Sequence, residues 1–306
     1  MFTESINEGF RLTHRNPQLI YIRIALVFIN IAIFLIMVGA PVFTAASRIG
    51  MDMAHAGDLF YTFLKDPVEI FSRYLGFLLI IFISFIICLT FISLLHIYVL
   101  SGTLGVLKKS AIVKGYRFSF SSFFKEAGDH IFPLMWMICL TTTVFFIISV
   151  IFFILSIIGM DIKESISGRG LFIKDFMISF SVLFVIVFGL IASVASLIFT
   201  VYSMVVAVVE TGGVISAAKK TFAFLMDKPS AFIFLIVLIA GFIGANVILL
   251  LFSAPLSMLS GIKISIAAAV LNSILQSYMM LVMWSALTAF YIKAAKHGVS
   301  EINYEI

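Results

Sequence analysis

The sequence predicts an all-α protein: a polytopic membrane helix bundle of six transmembrane helices, with three amphipathic interfacial helices on the cytoplasmic side. Three observations carry that expectation. Hydrophobic residues make up 62% of the chain and charged residues 11%, against about 25% charged in ordinary domains. The apolar residues come in unbroken runs, and a run of about 20 is long enough to cross the hydrocarbon core as a helix. A shorter amphipathic stretch ending in proline precedes the first, third and fifth of these runs.

The six runs are 18–43, 75–100, 133–158, 176–209, 231–258 and 265–291. None holds Asp, Glu or Lys away from its ends. The one arginine, Arg23, lies within about two turns of the first run's start, close enough to snorkel to the interface. The fourth run is the longest. Its 34 residues make about 51 Å of helix against a core of about 30 Å, so it must tilt or project past the inner surface. Gly189, Ser193, Ser196 and Thr200 form a small-residue stripe along it, and Ala240 with Gly244 and Gly241 with Ala245 do the same on the fifth. Such stripes let helices approach closely, which predicts that spans 4 and 5 lie in the bundle interior.

The amphipathic stretches share a plan. Before Pro17, Ser5 and Glu8 have capping-box spacing; Ile6, Phe10 and Thr13 follow along one face, with Arg11 and Arg15 nearby. In "FSFSSFFKEAGDHIFP", Phe120, Phe123, Phe124, Ala127 and Ile131 form an apolar stripe, Ser122, Lys125, Glu126 and Asp129 lie opposite, and Pro133 ends the stretch. Before Pro229, Val214, Ala218, Thr221, Phe222 and Leu225 share a face, with Ser216, Lys219 and Lys220 on the other. Proline is tolerated in the first turn of a helix and disfavours helical geometry in the residue before it. Each of the three prolines is therefore expected to mark a corner between a surface helix and a spanning one. The apolar faces would rest in the headgroup plane or on the cytoplasmic end of the bundle; amphipathicity does not choose between them.

The chain then reads as one membrane domain, 1–306, of three pseudo-repeats at 1–100, 101–209 and 210–306, each a surface helix and two spans. With both termini inside, thirteen Lys and Arg fall on the cytoplasmic side and seven outside, the sense the positive-inside rule requires. The net charge of +5 then faces membrane lipids, anionic headgroups included, and calls for no nucleic acid. Glu4, Glu8, Arg11 and Arg15 and the length of the first run argue against a cleavable signal peptide. The two cysteines, Cys88 and Cys139, lie inside spans and read as small apolar filler.

The stretch "VVAVVETGGVISAAKKTFAFLMDKP" resembles a pattern in bacterial six-helix membrane domains, among them those attached to some glycerophosphoryl diester phosphodiesterases. There a glutamate ending a span is followed by an alanine, two basic residues, a Ser or Thr and an apolar residue. The matching positions are Glu210, Ala217, Lys219, Lys220, Thr221 and Phe222. The resemblance implies a multi-pass protein of the bacterial cytoplasmic (inner) membrane. The family's catalysis belongs to a separate soluble domain, for which six spans in 306 residues leave no room, so it implies an architecture and no reaction.

Few residues propose chemistry. Asn30, Asn246, Asn272 and Gln276 are amides at depth, and Asn272 and Gln276 share a face at i, i+4. They would form a polar pocket or path between spans 5 and 6, or hydrogen bonds between helices. His96 lies about one turn from the inner end of span 2. Glu210 ends the longest span beside Gly212 and Gly213, within reach of Lys219 or Lys220, and makes a candidate cytoplasmic corner. Asp52, His55 and Asp58 at i, i+3, i+6 would be the one conceivable metal site, with no second cluster behind it. No Walker loop, G-x-S-x-G, H-E-x-x-H or paired-cysteine motif occurs, so no cofactor, metal or catalytic residue is expected. The expected roles are a non-enzymatic scaffold or accessory subunit in envelope or lipid homeostasis, with a possible membrane protein partner, or a transporter or lipid translocator; an intramembrane enzyme ranks third.

Overall fold

The protein was described from a computed structural model covering residues 1–48, 67–113, 115–165, 171–210, 213–259 and 262–302. All regular structure among them is helical, and six helical stretches are long and apolar enough to cross a membrane. The chain divides into two compact units, Gln18–Leu100 and Met1–Pro17 with Ser101–Ile306.

In the first unit α2 (Gln18–Phe34) passes through a π-helical turn, Leu35–Gly39, into α3 (Ala40–Arg48), and α4 (Pro67–Ile112) supplies the return span. The π turn has a local cause. Pro41 has no N–H to give the carbonyl four residues back, and the wider turn just before it absorbs the interruption. Large side chains such as Ile36, Phe43, Phe82 and Phe91 are more than half exposed. Apolar surface on that scale is untenable in water and natural in lipid. This is a multi-pass membrane protein.

The second unit holds α1 (Phe2–Arg15), the tail of α4 from Ser101, α5 (Phe120–Ser165), α6 (Leu171–Val209), α7 (Val214–Asp227), α8 (Ser230–Leu259) and α9 (Ile262–Ile302). Its packing is concentrated at one end. There Leu104 and Leu107, Phe123 and Ala127, Tyr202 and Val205, Phe234, and Leu287 and Phe290 are all but inaccessible. Away from that end the same helices expose Phe146, Phe153, Ile191, Val247 and Leu250, the surface that lipid covers.

The helix breaks before two of the three prolines. Asn16, before Pro17, has φ −129° and ψ 55°, and Lys228, before Pro229, has φ −127° and ψ 73°. Both breaks are tied down. The Asn16 amide donates to the Leu12 carbonyl (2.8 Å) and to Ser110 Oγ (3.0 Å), and the Tyr202 hydroxyl donates to the Ala231 carbonyl (2.9 Å). The expected corner at Pro133 is absent: α5 is a single helix from Phe120 to Ser165. Phe123, Ala127, Leu134 and Met137 are buried on both sides of the proline. That continuous stripe holds the two segments collinear at the cost of one backbone hydrogen bond.

The buried faces follow small residues more than the apolar stripes. α1 buries Ser5, Gly9, Leu12 and Thr13 against α9, while Phe10 stays at the exposed edge. A Cβ on Gly9 would meet Ala286 backbone at 2.8 Å. The helix starts at Phe2, so Ser5 lies inside it with a buried, unpartnered hydroxyl, and Glu8 pairs with Arg11 at 2.6 Å instead of closing a capping box. α7 turns Ala217, Thr221 and Leu225 inward and leaves Ile215, Phe222 and Met226 more than 60% exposed. Glu126, assigned to the polar face of its helix, is buried, whereas Phe120 and Phe124 face out. Small residues select the packed face because they admit a neighbouring backbone, whereas large apolar ones are equally satisfied by lipid.

Small residues at mid-span do not act this way. A Cβ on Gly189, Gly241 or Gly244 would meet nothing within 4 Å, and no residue of α8 from Ile236 to Leu251 is buried. The interior pair is α6 with α9 (spans 4 and 6), not spans 4 and 5. One consequence is a contrast between adjacent phenylalanines. Phe123→Ala removes a ring seated on Gly102 and is expected to cost about 3–5 kcal/mol. Phe124→Ala, at an exposed position, should leave the detergent-solubilised melting temperature nearly unchanged; equal losses would contradict the packing.

Candidate functional site

At the packed end of the second unit, two clusters of charged groups form among the described residues. In "SGTLGVLKKS" of α4, Gly102 and Gly105 let α5 come close: a Cβ on Gly105 would lie 2.5 Å from Glu126 Cβ. That approach seats Glu126 under the α4 tail. Its carboxylate takes Lys109 Nζ at 2.7 Å and His130 Nε2 at 3.3 Å, and the side chain is 9% exposed. His130 is one turn along the same helix, so α5 presents both groups to one place.

A second cluster forms where α6 ends. Glu210 accepts from Lys220 of α7 at 2.7 Å and from the Tyr291 hydroxyl of α9 at 2.9 Å. Its amide still bonds to the Val206 carbonyl, so it terminates the helix with its side chain bridging two others. Lys108 lies between the clusters. Its ammonium donates to the Val208 carbonyl at 2.9 Å, a cation on the last carbonyls of α6, where the helix dipole favours it.

The Lys220 hydrogen bond holds the Glu210 carboxyl below the usual carboxylate range; partial burial opposes this, and Tyr291 adds to it. A carboxylate whose folded pKa is depressed stabilises above its unfolded pKa, about 4.3, and that contribution is lost as pH falls through the folded value. Lys220 is half exposed, so the ion pair itself is worth on the order of 0.5–1 kcal/mol. Glu210→Gln should therefore lower the melting temperature at pH 7, with the deficit shrinking steadily below about pH 4.5. A deficit that is the same at pH 7 and pH 3.5 would refute a role for the charge.

Lys108, Lys109, Glu126, Asp129, His130, Pro133 and Ala207 line a cavity of about 380 Å³. Asp129 is exposed and forms no ion pair among the described residues. Of these, sequence reasoning singled out none as a site. The available signal was Gly102 and Gly105 beside two lysines, with a Glu and a His one helical turn apart in the next segment.

The residues that were singled out are dispersed. Glu210 and Lys220 meet in the second cluster, and Lys219 is exposed on α7. Asn30 and His96 belong to the other unit. There His96 Nδ1–H donates to the Ile92 carbonyl at 2.9 Å, and the Asn30 amide reaches His96 Nε2 at a long 3.5 Å. Asn246 is satisfied within its own helix by the Phe242 carbonyl at 2.8 Å. Asn272 Oδ1 is buried without a partner, and Gln276 is exposed. No hydrogen bond joins these amides into a path among the described residues. Asp52, His55 and Asp58 lie outside the described residues. Comparison with protein-family models, with curated proteins and with solved structures finds no match for this chain.

Proposed function

We propose that the protein is a non-enzymatic scaffold or accessory subunit of a bacterial cytoplasmic membrane, acting in envelope or lipid homeostasis with both termini inside. One observation carries this reading. Among the described residues of the second unit, Lys109, Glu126 and His130 and, beside them, Glu210 and Lys220 are bound to one another at the packed end, while the apolar mid-sections of the spans offer no acid or base. Ion-coupled transport ordinarily places titratable groups along the pathway; a fixed, charged platform on a lipid-embedded bundle suits recognition instead. The likeness to the membrane domains of phosphodiesterases is consistent with a place near lipids. The basic faces of the amphipathic helices suit anionic headgroups, and the exposed apolar stripe of α7 suits a partner or the bilayer.

Native mass spectrometry of the protein released directly from its own membranes tests this. The expected result is a stoichiometric protein partner; its absence under conditions that preserve other membrane complexes would count against the proposal. The buried, unpartnered Asn272 Oδ1 favours a second reading, a translocator with a polar path between spans 5 and 6. If Asn272→Leu keeps folding intact but abolishes the cellular phenotype of the gene, that reading replaces the first.

A further inference from the structure

We propose that the charged cavity and the apolar groove beside it form one phospholipid site, selective for a headgroup that joins a phosphate to a primary amine. Both parts lie along a single stripe of α5. Asp129 and Pro133 line the cavity, and Trp136, Leu140 and Val144 line a groove of about 640 Å³ closed on its other side by Val214 and Ile215 at the start of α7. The spacing 129, 133, 136, 140, 144 follows one face of a helix, and it spans about 22 Å at 1.5 Å per residue. A ligand lying along it passes from charge to hydrocarbon, with the exposed Trp136 at the junction, where indole rings favour the membrane interface.

The unused valences of the cavity choose the headgroup. Lys109 is committed to Glu126. Lys108 spends one of its three N–H donors on the Val208 carbonyl, leaving two for a phosphate. Asp129 presents a carboxylate that forms no ion pair among the described residues. One open cation and one open anion in a cavity whose Lys and acid charges balance match a zwitterion. A glycerol headgroup brings a phosphate and no cation for Asp129, and a choline brings a cation with no N–H to donate. A primary ammonium on a phosphate meets both. The general attraction of the basic surface to anionic lipid is a separate, non-selective effect.

This inference rests on the reading of the packed end as the working end, but its test is independent of any protein partner. The delipidated protein in detergent is titrated with phosphatidylethanolamine, phosphatidylcholine or phosphatidylglycerol of equal chain length, and bound lipid is counted by native mass spectrometry. One phosphatidylethanolamine should be retained at roughly tenfold lower concentration than either other lipid. Asp129→Asn, at an exposed side chain that forms no ion pair among the described residues, should erase the preference over phosphatidylcholine with the melting temperature unchanged. Trp136→Ala should weaken all three lipids, and millimolar inorganic phosphate should displace none. Preference for phosphatidylglycerol, an unaltered preference in Asp129→Asn, or displacement by phosphate alone, which marks a free-phosphate site, would each overturn the proposal. A protein that holds its partner yet shows any of these outcomes refutes the lipid site and leaves the scaffold reading standing.

Discussion

Gly105→Ala is expected to destabilise the packed end more than any other single methyl addition to a spanning helix. The new Cβ would fall 2.5 Å from Glu126 Cβ and 2.7 Å from Glu126 Oε2. The first of these is fixed to the α5 backbone and cannot swing aside, so the two helices must part. Overpacking of this kind costs about 1–3 kcal/mol, occasionally more. It also displaces the carboxylate from Lys109 and His130, so the loss should reach the upper end of that range. Gly189→Ala is the control. It meets nothing within 4 Å and gains up to about 1 kcal/mol of helix propensity, so its melting temperature should hold or rise. Equal behaviour of the two variants would show that α4 and α5 do not approach as described.

Glu126→Ala is the second large effect, and its cause is electrostatic. Removing one member of a buried pair commonly costs about 3–5 kcal/mol because the other charge is left uncompensated. Lys109 retains 38% side-chain exposure and can turn to water, which lowers the expectation to roughly 2–3 kcal/mol. Glu126→Gln keeps the shape and one acceptor oxygen and should lose less. Thermal melts of the two variants against Glu4→Ala, at a 70% exposed carboxylate, make the comparison. If Glu126→Ala melts no earlier than Glu4→Ala, the cluster contributes nothing to the fold.

The spans were legible because their signal is composition over length, and lipid imposes it without reference to neighbours. The helix breaks before Pro17 and Pro229 were legible because the constraint on the preceding residue is local. Pro133 carries the same local signal and yields no corner, because buried Phe123, Ala127, Leu134 and Met137 on either side outweigh it. Which helix faces pack on protein was left open for a related reason. Hydrophobicity put Phe10, Phe120, Phe124 and Phe222 on apolar faces without choosing between lipid and protein, because in a membrane a phenylalanine gains little by choosing protein over lipid. Gly9, Gly102, Gly105 and Ala217 decide the contacts, through a closeness of approach that periodicity does not reveal. Glu126 was hidden the same way. Its partner Lys109 is 17 positions earlier on another helix, and only the glycine-mediated approach brings them together. Glu210 was conspicuous in sequence because it ends a long apolar run; that it bridges α7 and α9 through Lys220 and Tyr291 is a tertiary fact.

The central claim is that the packed, charged end faces the cytoplasm and is where the protein works. Substituted-cysteine labelling tests it most directly. Lys219→Cys, an exposed position on α7, is placed in a background carrying Cys88→Ala and Cys139→Ala and treated with a membrane-impermeant maleimide. The account predicts no labelling in intact cells and strong labelling once the cytoplasmic membrane is permeabilised. Labelling of intact cells at the permeabilised level would place the charged end outside and contradict the account.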